Sequence, residues 1–229
     1  MIPLRDDQPS FSTPFINYFL ILVNVVVFLW ELSVGLQSHG ALNAMVGEFG
    51  IVPRHTVAVL TGHSYDSATS AILPLFTSMF LHGSVWHLGG NMLFLWIFGD
   101  NVEDYLGHLH YLLFYLGSGI AGSILHILVN TGSTAATIGA SGAIAGVMGA
   151  YFVLYPRARV LVWFFIFLFH VPAWVMLGYW FLYQFFIGTA GSMAQNGIAV
   201  WAHVGGFLTG AVIIKVLHER PHRYRYGAW

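Results

Sequence analysis

The chain has 229 residues, of which 57% are hydrophobic, 17% aromatic and only 7% charged, where an ordinary soluble domain carries about 25% charged residues; this is the composition of a protein that lives in a lipid bilayer. A net charge of -1 with 8 Lys and Arg leaves no basic face for nucleic acid. With no cysteine, disulfides, thiolate nucleophiles and cysteine-based metal sites are excluded together.

Residues 1–13 are polar and precede an apolar helix predicted over about 14–36. No small-residue cleavage site follows it, so it reads as an anchor and not a removed signal peptide. A long connection, 31–83, leads to a second helix over about 84–106. That helix closes in Asp100, Asn101, Val102, Glu103 and Asp104, which reads as a solvated terminus. No Asp, Glu, Lys or Arg lies between Asp104 and Arg157, or between Arg159 and Lys215. Each gap is far longer than the roughly 20 residues needed to cross the hydrocarbon, and each is broken by turn residues, at Asn130 to Thr134 and at 188–198.

Four further helices are therefore expected, about 109–130, 139–156, 159–187 and 199–217. The expected fold is all-α: one polytopic membrane domain over 1–229, a bundle of six transmembrane helices without tandem repeats. Arg5, Arg157, Arg159, Lys215, Arg220, Arg223 and Arg225 fall on one side of such a bundle and only Arg54 on the other, which predicts cytoplasmic N and C termini.

Four polar side chains then share a depth. His87 and Asn91 lie in the first turns of the second span, Ser141 at the start of the fourth, and His203 near the start of the sixth. All three spans begin on the outer side. At 1.5 Å per residue the four sit roughly 5 to 10 Å below the outer edge of the hydrocarbon. Polar groups at that depth face protein or water and mark a candidate site. Serine needs a base to become a nucleophile, and a neutral histidine is the usual one; Ser141 and His203 form the natural pair. His87 and Asn91, at i and i+4, share a helix face. With the Ser141 N–H they could bind an oxyanion. No third member of a triad is evident: Asp100 lies roughly 20 Å down the helix from His87, and nothing sets Glu31 against His203.

These residues resemble a family. TIGASGAIAG, with Gly139, Ala140, Ser141 and Gly142, fits the GxSG motif of rhomboid intramembrane serine proteases; HGSVWHLGGN, with His82, His87 and Asn91, fits the family's second helix; AHVGGFLTG supplies His203. The resemblance implies Ser141 as nucleophile, His203 as general base and acid, and His87 and Asn91 as oxyanion-stabilising residues. It implies cleavage of transmembrane protein substrates in or beside their membrane helices through an acyl-enzyme, without metal or cofactor. The 31–83 connection would be the family's first loop, and the fifth helix with 188–198 its gate and cap. A bacterial plasma membrane is expected by analogy with compact six-helix members; substrate and oligomeric state stay open. Two features depart from some members: Ala145 stands where an aromatic residue would stack on the catalytic histidine, and the Trp-Arg pair of the first loop is missing.

The remaining residues read as structural. Gly142 with Gly146, and Gly206 with Gly210, have the small-residue spacing that lets membrane helices touch. His82 reads as a loop-ordering hydrogen bonder, and His126 and His170 as intramembrane structural histidines, His170 beside a kink at Pro172. His108, His110, His218 and His222 read as interfacial. The aromatic fifth span, from Trp163, Phe164 and Phe165 to Phe185 and Phe186, reads as lipid-facing bulk. A metalloprotease lacks its HExxH, and a haem carrier on His87 and His203 would leave Ser141 and Asn91 without a reason to match them. A transporter would continue its polar layer through VMGAYFVLY and FLTGAVII, which it does not. A client-binding protein would need neither Ser141 nor His203.

Overall fold

The computed structural model describes residues 1–189 and 199–218. The predicted turn at 188–198, apart from Gly188 and Thr189, lies outside these residues, as do Arg220, Arg223, Arg225, His222 and the side chain of His218. The order is β1 (Ile2–Asp6), α1 (Phe15–Gln37), four short helices of the first loop, α2 (His39–Phe49), α3 (Pro53–Leu60), α4 (Ala68–Ile72) and α5 (Pro74–Thr77), then α6 (Val85–Leu106), α7 (His108–Val129), α8 (Ser141–Leu154), β2 (Arg159–Phe164), β3 (Phe167–Pro172), α9 (Ala173–Thr189) and α10 (Val200–His218).

Among the described residues, three helices are long and apolar enough to cross a membrane by themselves: α1, α7 and the Val200–Leu217 part of α10. A fourth arises if Ala68–Phe80 and α6, which meet at 79°, are taken as one bent span. Helix α8, SGAIAGVMGAYFVL, is apolar on every side, and all residues from Gly142 to Tyr151 are buried. A helix without a polar face belongs in the centre, and α6, α7, α9 and α10 all pack around it.

Its closest partner is α10. A Cβ on Gly206 would collide with the carbonyl oxygen of Gly142, and one on Gly210 with that of Gly146; the spacing read as helix contact thus brings backbone against backbone. Gly206→Ala is expected to destabilise the fold by about 1–3 kcal/mol, the range for overpacking a close contact. Gly89→Ala, where an added Cβ meets nothing within 4 Å, should leave it unchanged. Unfolding in detergent compares them, and equal midpoints would show that the close approach is dispensable.

The fold is not all-α. Residues 159–172, expected within a helix over 159–187, form strands β2 and β3, which join β1 in an antiparallel sheet of order β1-β2-β3. Val160 and Val162 of β2 and Val171 of β3 turn into the core, the two-residue alternation of a half-buried strand. An unbroken apolar run hides that alternation in the sequence, and the partner strand lies in the polar N-terminal segment. His170 is consequently an exposed residue of strand β3 opposite Leu161, and not beside a kink in a helix. Burial pushes the Asp6 carboxyl up, opposed by a hydrogen bond from the Tyr151 hydroxyl that ties β1 to α8.

The acid-rich end of α6 is likewise not a solvated terminus. Glu103 is fully buried, and its carboxylate accepts the backbone N–H groups of Ile16 at 2.9 Å and Asn17 at 2.7 Å. Those are among the first N–H groups of α1, which have no partner within their own helix; α1 has no capping side chain of its own. Glu103 caps α1 from α6 and holds the two helices in register.

Candidate active site

Ser141 is the first residue of α8, so its N–H is one of the unpaired donors of that helix start. The preceding turn is fixed from several directions. Gly139 has φ +128°, which only glycine adopts readily, and a Cβ there would come within 2.8 Å of the His87 ring. The Gly139 N–H donates to Ser78 O at 2.8 Å, and Thr137 exchanges backbone hydrogen bonds with Ile51 of the first loop. His126 supports the same turn, its Nε2 lying 3.1 Å from Thr137 Oγ1 and its Nδ1 3.4 Å from Asn130 Nδ2.

Ser141 Oγ lies 2.7 Å from His203 Nε2, across the contact between α8 and α10. The other ring nitrogen, Nδ1, lies 3.0 Å from Gln184 Oε1 on α9. An amide oxygen only accepts, so the imidazole proton sits on Nδ1 and the Nε2 lone pair faces the serine hydroxyl. Trp180, one turn before Gln184, packs on the His203 ring with centroids 5.7 Å apart and planes at 37°. It supplies from α9 the aromatic contact that Ala145 cannot make from α8.

The pair opens on a cavity of about 600 Å³. Ser141, His203, Gln184 and Trp180 line one side, and His87, Asn91 and Trp86 of α6 the other. Asn91 is buried and its Nδ2 has no hydrogen-bond partner, although an unsatisfied buried donor costs about 1–3 kcal/mol. An unpaired donor on a residue that lines the same cavity as the serine is what an oxyanion site would draw on. The structure thus brings together all four residues singled out from the sequence, Ser141, His203, His87 and Asn91.

Gln184 was missed. It is the only amide in the aromatic sequence WVMLGYWFLYQFFIG, and that isolation was the available signal. Glu31 stays apart from His203: its carboxylate accepts the His82 backbone N–H at 2.9 Å. His82 has its ring Nδ1 3.3 Å from Phe80 O and stacks edge-on against His87 at 5.1 Å. No group of three or more His, Cys, Asp or Glu able to hold a metal occurs among the described residues.

Comparison with known proteins gives the lineage of this arrangement. A Rhomboid domain family model matches residues 69–220. "Rhomboid protein 1, mitochondrial" of Saccharomyces cerevisiae is 36% identical over 169 residues, which is 69% of this chain and 46% of that protein. "Putative rhomboid protease YdcA" of Bacillus subtilis is 35% identical over 115 residues, 48% of this chain and 57% of that protein. "Presenilin-associated rhomboid-like protein, mitochondrial" of Mus musculus is 29% identical over 196 residues, 78% of this chain and 47% of that protein. The chain spans about half the length of these relatives. A multi-pass membrane protein stands, but the bacterial plasma membrane expected above is corrected: the yeast and mouse relatives are named as mitochondrial, and a compact helix count does not distinguish the two settings. With a family model over most of its length and motifs that converge in one cavity, the chain belongs to the rhomboid family.

Proposed function

We propose that the protein is an intramembrane serine endopeptidase that cleaves peptide bonds in or beside the transmembrane helices of other membrane proteins. The observation that carries this reading is the 2.7 Å contact of Ser141 Oγ with His203 Nε2. In the reaction, His203 Nε2 takes the hydroxyl proton as Ser141 Oγ attacks the scissile carbonyl. The Ser141 N–H, Asn91 Nδ2 and the His87 ring hold the resulting oxyanion. The protonated His203 then gives its proton to the leaving amine, and water hydrolyses the acyl-enzyme by the same steps in reverse. Gln184 holds the imidazole in the tautomer that can accept. Being neutral, it stabilises the imidazolium only through its carbonyl dipole.

Six spans, α1, α6, α7, α8, α9 and α10, with both termini on the Arg157 side, best accommodate the apolar lengths and the charge asymmetry. The relatives' names support a mitochondrial membrane as the setting.

The test is labelling of the detergent-purified protein with a fluorophosphonate probe and mapping of the modified peptide. The expected product is an adduct on Ser141, absent in Ser141→Ala. If folded parent protein stays unlabelled while a known rhomboid protease reacts alongside, hydrolysis is refuted and a client-binding role takes its place.

A further inference from the structure

The hairpin of β2 and β3 is built for an apolar environment that the protein itself does not supply. Its two-residue turn is Phe165 and Ile166, exposed by 78% and 84%. Phe165 has φ +55°. A positive φ at a tight hairpin turn calls for Gly, Asn or Asp, and a bulky residue there is strained. Trp163, Phe164, Phe167 and Leu168 are exposed as well. In water this tip would combine backbone strain with a large apolar patch.

Behind the tip the character changes. Arg157, Arg159, His170, Pro172 and Trp174 line a cavity of about 420 Å³ at the base of the hairpin. Arg159 and His170 lie on the same face of the sheet, in pairs two apart in the register, with the Val160–Val171 pair between them on the other face. The nearby Asp7 carboxylate accepts the backbone N–H of Arg159 at 2.7 Å. The base of the hairpin runs directly into α9, which starts at Ala173. An apolar tip with cationic side chains one strand length behind it matches the polarity of a phospholipid leaflet, acyl chains first and phosphates above them.

We propose that the β2–β3 hairpin is a membrane-inserted anchor: Phe165 and Ile166 enter the acyl region, and Arg157, Arg159 and His170 bind the phosphate of an anionic phospholipid at its base. The lipid contact is independent of peptide cleavage, and the three-stranded sheet connects it through β1 and Tyr151 to α8, the helix that carries Ser141.

The chain has no cysteine, so Ile166→Cys provides a single attachment point for a nitroxide on the full-length protein in phosphatidylcholine–phosphatidylglycerol vesicles. The expected spectrum shows high accessibility to oxygen and low accessibility to a water-soluble nickel complex, the reverse of a label at Asp66→Cys in the exposed first loop. A nickel-accessible tip would overturn the proposal, and so would spin–spin broadening, which would place the tip against a second copy. Native mass spectrometry of the detergent-purified protein tests the base. Phosphatidylglycerol should bind the parent about 30-fold more tightly than the Arg157→Ala, Arg159→Ala variant. Millimolar inorganic phosphate should not displace it. Displacement would identify a free-phosphate site, and equal binding to parent and variant would remove the two arginines from the lipid contact; either result refutes the proposed anchor.

Discussion

His203→Ala is expected to lower kcat for cleavage of a transmembrane reporter in liposomes by a factor on the order of 10⁴–10⁶, the range for removing one member of a serine–histidine unit in soluble proteases. His203 Nε2 is the group in hydrogen-bond contact with the Ser141 hydroxyl, at 2.7 Å. Water entering the space left by the ring would be a far weaker base than an imidazole. The loss should fall on kcat, since the imidazole accepts a proton only as the transition state forms and contributes little to holding a substrate helix. A double variant, Ser141→Ala with His203→Ala, should be no slower than either single one, as expected for residues that act as a unit. If the two losses multiply instead, Ser141 and His203 act separately and the proposed dyad fails.

Asn91→Ala should lower kcat by about 10²–10³, the cost of one oxyanion donor, with KM little changed. Asn91 lines the cavity shared with Ser141, and its Nδ2 makes no hydrogen bond in the free protein. The same substitution should therefore leave thermal stability unchanged or raise it, because it removes an unsatisfied group. A variant that loses stability and activity together would make Asn91 a packing residue. Activity lost from a protein of equal or greater stability is the outcome that a purely structural Asn91 could not produce.

What the sequence made legible was set by chain-local chemistry. Ser141, His87, Asn91 and His203 each lie within a few residues of glycines, at a helix start, in an apolar sequence that makes a polar residue conspicuous. Gln184 was hidden because its role exists only across the contact of α9 and α10, nineteen residues apart in the chain. Glu103 looked like an ordinary acid at a helix end; its two N–H donors belong to α1, almost ninety residues away. The hairpin escaped for a different reason. Lipid-facing helix and lipid-facing strand are both written in apolar residues, and the usual marker of a hairpin, a polar turn, is replaced by Phe165 and Ile166. The strand register depends on β1, whose partner lies more than 150 residues along the chain.

Helix α8 has 14 residues, which at 1.5 Å each is about 21 Å, whereas the hydrocarbon layer is about 30 Å thick. With α8 as one of the six spans proposed above and its far end tied to the sheet through Tyr151 and Asp6, the shortfall would fall at the Ser141 end, beside the cavity. In that arrangement the number of turns between the sheet and Ser141 acts as a ruler, setting how far along the bundle the serine reaches towards the polar side chains of its neighbours. An α8 one turn longer would carry Ser141 alone about 5.4 Å along the bundle, away from His203 on α10 and from His87 and Asn91 on α6. Insertion or deletion of one turn within α8 should therefore part Ser141 from His203, even with every polar residue of the cavity kept.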